Sequence, residues 1–311
     1  IVTGMVPLAK DIAELAQQAA VPILQCENPR RVMAKMAAIH WSSQPGMVAA
    51  VTGTNGKTST TEFLRQLWQR ATWQAIAVGT LGITGTDMIK SDGALLSLPP
   101  LTTPDSISLH ATLAPLTKAG VTHLALEASS HGLEQHRLDG LNIHIAAFTN
   151  LSRDHLDHHI DMDRYFAAKH RLFTDLLSEG GAAIVNLDDQ YSAAIIDSLQ
   201  DRHIVIKTFG YAEDADFRIL SITPSGDGLD MKVVYQDQTW DIPLALSGTF
   251  QAINALTAAV MAHLSGLPLH DALGALPYLK AAPGRMQTIH GHPAGARVIV
   301  DYAHTPDALA A

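Results

Sequence analysis

Residues 52–58, TGTNGKT, combine two glycines, a lysine and hydroxyl side chains in a pattern that suits phosphate binding. Glycines let backbone N–H groups close around an anion, and a following helix adds partial positive charge. In such a loop Lys57 reaches the outer phosphates and the Thr58 hydroxyl holds Mg²⁺. The general P-loop motif is imperfect here, because Val51 stands at the first glycine position and Gly53 comes later. We therefore predict a nucleoside triphosphate site, the alternative being an ordinary glycine turn followed by a solvated lysine.

The segments around this loop have the character that the chemistry requires. Residues 47–51 are small and apolar, as in a buried strand, and residues 58–73 place large apolar side chains at helical spacing. Further along, apolar runs alternate with helical patterns, which predicts an α/β fold whose mostly parallel sheet is flanked by helices. Loops at the carboxyl ends of such strands form the site. Alternating residues between 217 and 246, around a Ser-Gly-Asp-Gly turn, predict a small antiparallel hairpin region.

Composition narrows the class of protein. The chain has 311 residues, of which 47% are hydrophobic and 16% charged, as in a well-buried globular protein of about two domains. Its net charge of −9 argues against a nucleic-acid partner, and no apolar run is long enough to cross a membrane. The single cysteine, Cys26, cannot form an internal disulfide, so we expect a cytoplasmic protein.

Two further strand ends carry polar side chains. Glu127 ends an apolar run, where a carboxylate is suited to hold Mg²⁺ on a phosphate bound at the neighbouring loop of residues 52–58. The alternative is a charge that simply faces solvent. Residues 149–159, TNLSRDHLDHH, concentrate aspartates and histidines. This segment has no cysteine partner and no H-E-x-x-H pattern, and the neighbouring phosphate loop calls for oxygen-rich Mg²⁺ coordination, so we do not predict a zinc site here. Several of its histidines are then expected to be solvated or to cap helices.

Other residues have weaker local signals. In LTTPDS, residues 101–106, Thr103 or Asp105 can cap the helix that follows, but capping explains one threonine better than two. Packing does not account for Asn254 in an otherwise apolar helix. The remaining weak signals are Arg285 in a Pro-Gly hinge, and Asp301 and His304 at another strand end.

Lys169 falls inside the apolar stripe of a helix predicted over residues 164–177. One interpretation is a lysine whose stem packs while its ammonium reaches water. The other is a partly buried lysine with a lowered pKa, whose neutral amine can react with carbon dioxide to form a carbamate. The pattern alone leaves both interpretations open.

Taken together and in this order, these stretches resemble the Mur ligase family of bacterial peptidoglycan synthesis, most closely the branch that adds the third residue of the peptide. The family's glycine-rich loop lacks the first P-loop glycine in the same way. The segments that carry the resemblance are TGTNGKT (52–58), LTTPDS (101–106), EASSHGL (127–133), NLSRDHLDHH (150–159), FAAKHRLF (166–173), PGRM (283–286) and DYAHTPD (301–307).

The resemblance implies an ATP-dependent, ADP-forming amide ligase. The substrates would be UDP-N-acetylmuramoyl-L-Ala-D-Glu and a diamino acid, with meso-diaminopimelate favoured over L-lysine as the commoner of the two. The D-glutamyl side-chain carboxylate would take the γ-phosphoryl group of ATP, and the amine would displace phosphate from the acyl phosphate. The implied cofactors are ATP, Mg²⁺ and a carbamate on Lys169, and the implied state is a monomer.

The resemblance also assigns roles, position by position. The nucleotide would contact Gly53, Thr54, Asn55, Gly56, Lys57, Thr58, Asn254, Arg285, Asp301 and His304. Metal ligands would be Thr58, Glu127, His155 and carbamylated Lys169, and the residues taking part in catalysis would be Lys57, His155 and Lys169. The UDP-muramoyl-peptide would contact Thr102, Thr103, Ser129, Gln135 and Arg137. The chain departs from the family at Gln251 and Gln287, where asparagine and glutamate are usual, and neither change touches the phosphate chemistry.

The same resemblance divides the chain into three parts. Residues 1–44 would end an N-terminal UDP-binding domain, residues 45–283 would form the central ATP-binding domain, and residues 284–311 would begin a C-terminal Rossmann-like domain. We expect the rest of both outer domains to be absent, so that this chain alone does not ligate. Folylpolyglutamate synthetase is an alternative with similar fold and chemistry. A nucleotide-binding module without catalysis is another, against which the retained Lys57, Thr58, Glu127, His155 and Lys169 argue.

Overall fold

A ten-stranded sheet runs through the computed structural model of the chain, which describes residues 2–6, 8–88, 98–154, 156–289, 296, 298–303 and 309. The strands in the described residues are β1 (Val2–Thr3), β2 (Leu24–Gln25), β3 (Met47–Thr52), β4 (Ala75–Gly79), β5 (Gly82–Thr84), β6 (His123–Glu127), β7 (Ile143–Phe148), β8 (Leu177–Asn186), β9 (Val205–Gly210), β10 (Phe217–Ser225), β11 (Gly228–Tyr235), β12 (Gln238–Leu244), β13 (Gln287–Ile289) and β14 (Val298–Val300). The α-helices are α1 (Lys10–Gln18), α2 (Pro29–His40), α3 (Lys57–Arg70), α4 (Ser106–Lys118), α5 (Ser130–Glu134), α6 (Leu156–His159), α7 (Met162–Arg171), α8 (Ser192–Asp197), α9 (Thr249–Leu264) and α10 (Leu269–Gly274).

The order of strands in the large sheet is β12-β11-β10-β9-β8-β7-β3-β6-β4-β5. In the central part of this order, β10-β9-β8-β7-β3-β6-β4, all neighbouring strands pair in parallel, which confirms the predicted α/β class. The remaining strands, β5 at one edge and β11 and β12 at the other, pair antiparallel. Strand β3 lies between β6 and β7, with Val51 opposite Glu127 and Thr52 opposite Phe148. Three strand ends therefore meet at one edge of the sheet, beside the start of α3.

Strand β3 shows why the sheet needs helices on both faces. Its residues alternate between two cores, with Ala49 and Val51 in one and Val48 and Ala50 in the other. Helices α3, α9 and α10 contribute to the first core, and α4, α5, α7 and α8 to the second. Burial on both faces explains the nearly continuous apolar sequence of this strand.

One helix boundary follows the predicted cap chemistry, and another departs from the prediction. Asp105 caps α4 by accepting a hydrogen bond from the Ser108 amide at 3.0 Å, so Thr103 does not act as the cap. The helix predicted to reach residue 177 ends earlier: α7 stops at Arg171, and a π-helical turn, Leu172–Leu176, leads into β8.

The predicted hairpin is part of a three-stranded antiparallel unit formed by β10, β11 and β12. Gly226 has a φ of +57° in the first turn, as the glycine there predicts. The second turn uses Gln236 and Asp237 with φ of +48° and +61°. Because neither residue is glycine, the sequence carried no signal for this turn, and the third strand was missed.

No helix in the described part of the chain is both long enough and apolar enough to cross a membrane.

Trp68 joins α3 to the end of α9, and its replacement tests how much this packing stabilises the domain. The indole is fully buried, and its Nε1–H donates to the Ser265 hydroxyl at 2.7 Å. We expect Trp68→Ala to cost about 3–5 kcal/mol of unfolding free energy through the cavity it leaves. Trp68→Phe keeps much of the ring packing and should cost clearly less. Urea unfolding of both variants measures the difference, and equal losses would contradict the packing argument.

Candidate active site

The loop between β3 and α3 depends on two glycines. Gly53 has a φ of +148° and Gly56 a φ of +89°, values that disfavour residues with a side chain. A Cβ atom at Gly53 would collide with the Thr149 hydroxyl, and one at Gly56 would collide with the Asn254 amide. Gly56 also precedes the first turn of α3, whose backbone N–H groups make a partial positive charge. The loop can therefore fit an anion at the helix start.

The end of β7 holds the loop in place. The Thr54 amide donates to the Asn150 carbonyl at 2.8 Å, and the Asn55 amide donates to the Asn150 side chain at 3.0 Å. The Thr149 hydroxyl donates to the Asn55 carbonyl at 2.6 Å. Sequence reasoning gave no role to Thr149 or Asn150, although both lie at the predicted end of an apolar strand. That position was the signal that could have identified them.

Two lysines meet at the loop. The ammonium groups of Lys57 and Lys169 donate to the Gly53 carbonyl at 2.9 and 2.7 Å, and Lys57 also donates to the Thr54 carbonyl at 2.8 Å. Lys169 is 2% exposed, and its ammonium lies 4.5 Å from the centre of the Tyr165 ring. Its ammonium thus reaches a buried backbone carbonyl and not water, which excludes the snorkelling interpretation.

Desolvation lowers the pKa of both lysines. It lowers the pKa of Lys169 well below the ordinary lysine range, and the nearby charge of Lys57 lowers it further. The pKa of Lys57 is also lowered, first by burial, while the carboxylate of Glu127 acts in the opposite direction. A lysine with a lowered pKa exposes a neutral amine more often, and that is the form that can react as a nucleophile.

Glu127, at the end of β6, is 1% exposed. Its carboxylate accepts hydrogen bonds from the Thr58 hydroxyl at 3.0 Å, from the Thr80 amide at 2.8 Å and from the Thr80 hydroxyl at 3.2 Å. Burial raises the pKa of Glu127, and the charge of Lys57 opposes that rise. The adjacent oxygens of Glu127 and Thr58 are the donors that Mg²⁺ prefers, so this pair fits a magnesium ion.

A cavity of about 410 Å³ opens beside these groups. Arg285 lies on its wall, with its guanidinium 4.7 Å from the Tyr302 ring centre and 3.3 Å from the Thr58 hydroxyl. The Asp301 carboxylate accepts a hydrogen bond from the Met286 amide at 2.7 Å. Asp154, to which sequence reasoning gave no role, also lines the cavity. The predicted nucleotide and metal residues that line it are Thr54, Asn55, Gly56, Lys57, Thr58, Glu127, Asn254, Arg285 and Asp301.

The predicted substrate residues form a hydrogen-bonded chain that begins at Glu127. The Thr103 hydroxyl donates to the Glu127 carbonyl at 2.8 Å and lies 2.9 Å from the Ser129 hydroxyl. Arg137 donates to the Thr103 carbonyl at 2.6 Å and to the Gln135 side chain at 2.8 Å. This chain keeps the polar groups beside the cavity in fixed positions.

The remaining predicted positions lie in different places: one is on the cavity wall, one contacts Asn254, and two lie outside the described residues. The Thr102 hydroxyl lies 3.2 Å from that of Thr80, on the cavity wall. Gln251, one of the departures from the family pattern, accepts a hydrogen bond from the Asn254 side chain at 3.2 Å. His155 and His304 lie outside the described residues.

Known proteins resemble this chain in sequence and in structure. The family model described as "Mur ligase middle domain" matches residues 51–262. The UDP-N-acetylmuramoyl-L-alanyl-D-glutamate–2,6-diaminopimelate ligase of Brucella melitensis biotype 1 is 43% identical over 292 residues, which cover 94% of this chain and 58% of that protein. The chain thus spans less than two thirds of the length of this relative.

Solved structures agree with the sequence comparison. A UDP-N-acetylmuramoyl-L-alanyl-D-glutamate–2,6-diaminopimelate ligase superposes with a TM-score of 0.80 at 32% identity, over 99% of this chain and 65% of the other. A variant of L. casei FPGS has a TM-score of 0.71 over 96% of this chain and 78% of the other, but at 17% identity it shows a shared fold alone. The matched family model covers more than half of the sequence, and the chain therefore belongs to the Mur ligase family.

Proposed function

We propose that this chain is the ATP-binding part of a ligase that joins a diamino acid to UDP-N-acetylmuramoyl-L-Ala-D-Glu for peptidoglycan synthesis. In this proposal residues 45–283 form the central domain, while residues 1–44 and 284–311 belong to the UDP-binding and C-terminal domains. The observation that carries the proposal is the convergence of Lys57, Lys169 and Glu127 around one phosphate-binding loop. The names of the similar ligases support meso-diaminopimelate as the diamino acid.

In the proposed reaction the loop binds the triphosphate of ATP. Backbone N–H groups at the start of α3 and the ammonium of Lys57 offset the phosphate charge. Desolvation lowers the pKa of the half-buried Lys57, so an anion beside it favours its charged form and reverses part of that shift. Arg285 and Asn254 complete the nucleotide side of the cavity, and Asp301 is suited to the ribose hydroxyls. His304 belongs to the same proposed set.

Mg²⁺ is the metal that the donor set fits best. Thr58 and Glu127 would hold one ion by their oxygens, and His155 and a carbamate on Lys169 would hold a second. When bound, such ions offset the negative charge that gathers on the transferred phosphoryl group. The buried Lys169 amine has the lowered pKa that carbamate formation requires.

The muramoyl-dipeptide is proposed to lie along Thr102, Thr103, Ser129, Gln135 and Arg137. An oxygen of its D-glutamyl side-chain carboxylate attacks the γ-phosphorus, and the bond to the bridging oxygen of ADP breaks. The diamino acid's amine then attacks the acyl carbon, inorganic phosphate leaves, and the amine loses a proton. The first step converts a carboxylate oxygen, which is a poor leaving group, into phosphate, which is a good one, and the second step uses it. We propose that the full-length enzyme works as a monomer in the cytoplasm.

Phosphate release by the full-length protein tests the function directly. With ATP, Mg²⁺ and the UDP-muramoyl-dipeptide, we expect release with meso-diaminopimelate and much less with L-lysine. Dihydrofolate with glutamate tests the folylpolyglutamate alternative and should give none. Phosphate release with dihydrofolate and glutamate, but not with the UDP-muramoyl-dipeptide and a diamino acid, would overturn the proposal. Nucleotide binding without phosphate release under any of these conditions would favour a module that lacks catalysis.

Lys57→Ala should slow the reaction strongly in the full-length enzyme. It removes a charge-assisted contact to the triphosphate, so we expect a loss of about 2 to 4 kcal/mol of transition-state stabilisation. The measurement is kcat/KM for ATP from phosphate release. Lys118→Ala, at an exposed position in the last turn of α4, is the matched control and should leave kcat/KM unchanged. Equal rates for the two variants would remove Lys57 from the proposed mechanism.

Lys169→Ala should abolish turnover, because no carbamate can form at that position. The truncation leaves a space in a buried site, so a small carboxylate such as acetate should restore part of the activity. Lys169→Met fills more of that space and should not be rescued. An active Lys169→Ala enzyme, or the same acetate response in both variants, would contradict the carbamate role.

A further inference from the structure

Three histidines from two separate helices meet outside the nucleotide cavity. His131 lies in α5, and His158 and His159 end α6. The ring centroid of His131 lies 4.0 Å from that of His158 and 5.3 Å from that of His159. Each histidine offers a nitrogen within 4.8 Å of the nitrogens of the other two. The cluster thus presents three ligand atoms of the type that transition metals prefer.

The geometry of His159 suits a metal ligand. Its ring is 2% exposed, and its Nε2 lies 2.9 Å from the Ser130 hydroxyl. The opposite nitrogen, Nδ1, lies 3.9 Å from a carboxylate oxygen of Glu134. Histidines that bind metals usually use their second nitrogen in a hydrogen bond that fixes the ring orientation. Ser130 is positioned to provide that bond.

A carboxylate lies next to the three imidazoles. Glu134 Oε2 is 2.7 Å from His158 Nε2, so the same oxygen lies near two of the histidines. The side chains of His158 and Glu134 are 38% and 51% exposed, which leaves both able to rotate. In a tetrahedral zinc site, ligand atoms about 2.0–2.1 Å from the ion stand roughly 3.3 Å apart. Rotation of exposed side chains such as His158 and Glu134 can therefore bring the ligand atoms closer to this spacing.

We propose that His131, His158 and His159 bind a Zn²⁺ ion, with Glu134 as the fourth ligand. The histidine-rich segment does not predict zinc by itself, because its other ligands come from α5, more than twenty residues earlier in the chain. The site differs in chemistry from the Thr58–Glu127 pair, since imidazole nitrogens favour zinc over magnesium. The bound ion links α5 to α6. Ser129 and Gln135, two of the proposed substrate residues, flank α5. An ion that holds α5 against α6 therefore also helps to hold these two residues in position.

Zinc affinity of the full-length protein, measured by competition with a chromophoric chelator, tests the site. His158→Ala removes a ligand from an exposed position, so the fold should be retained. Ser130→Ala removes only the hydrogen bond that orients His159 and should weaken binding about tenfold, whereas His158→Ala should weaken it further. His270→Ala removes an exposed histidine in α10 and is the matched control, with unchanged affinity expected. A large excess of Mg²⁺ should not displace the zinc.

Two results would overturn the proposal. One is equal zinc affinity in His158→Ala and the unsubstituted protein. The other is anomalous scattering at the zinc edge, in crystals soaked with Zn²⁺, that lies at Glu127 and not between α5 and α6. The cobalt-loaded protein gives an independent signal, because a tetrahedral Co²⁺ spectrum should appear in the unsubstituted protein and vanish in His158→Ala. None of these three measurements depends on ligase activity, so the site can fail while the proposed function stands.

Discussion

The backbone carbonyl of Gly53 accepts hydrogen bonds from the half-buried Lys57 and the buried Lys169, and the arrangement of the site depends on this contact. The carbonyl can take this direction because Gly53 has a φ of +148° and no side chain where the Thr149 hydroxyl lies. One lysine comes from the start of α3 and the other from α7, more than a hundred residues later. A single peptide group thus fixes the distance between the phosphate loop and the helix that carries Lys169.

The buried charges around this carbonyl oppose one another in their effect on stability. The pKa of Lys169 is lower in the folded chain than its ordinary value of 10.5. Between these two pKa values the unfolded chain binds more protons than the folded chain, so the contribution of Lys169 to stability grows as pH rises. The raised pKa of Glu127 has the opposite sign, since the folded chain then holds the extra proton above pH 4.5. An anionic nucleotide with a cation satisfies both groups at once, so ligand binding should stabilise this fold.

Much of the fold could be predicted because its signals are local. The alternation of apolar runs and helical patterns gave the parallel sheet, and the shared edge of parallel strands brought Glu127 to the phosphate loop. The apolar stripe around Lys169 left a buried and a snorkelling lysine equally open, and it could not identify Gly53 as the partner, because that contact joins distant parts of the chain. Thr149 and Asn150 received no role, although their position at the end of an apolar strand was a signal for the site. The turn at Gln236 and Asp237 was missed because its backbone conformation is one that glycine usually marks.

The outermost strands of the large sheet, β5 and β12, affect whether the protein aggregates in a crowded solution. An exposed edge strand offers unpaired backbone groups to the strands of other molecules, which promotes aggregation. Here β5 has three residues, too few for a stable pairing with another chain. At the other edge, β12 carries Pro243, which has no amide hydrogen to donate, and Asp241, whose side chain is 77% exposed. A ten-stranded sheet can therefore end at both sides without recruiting further strands.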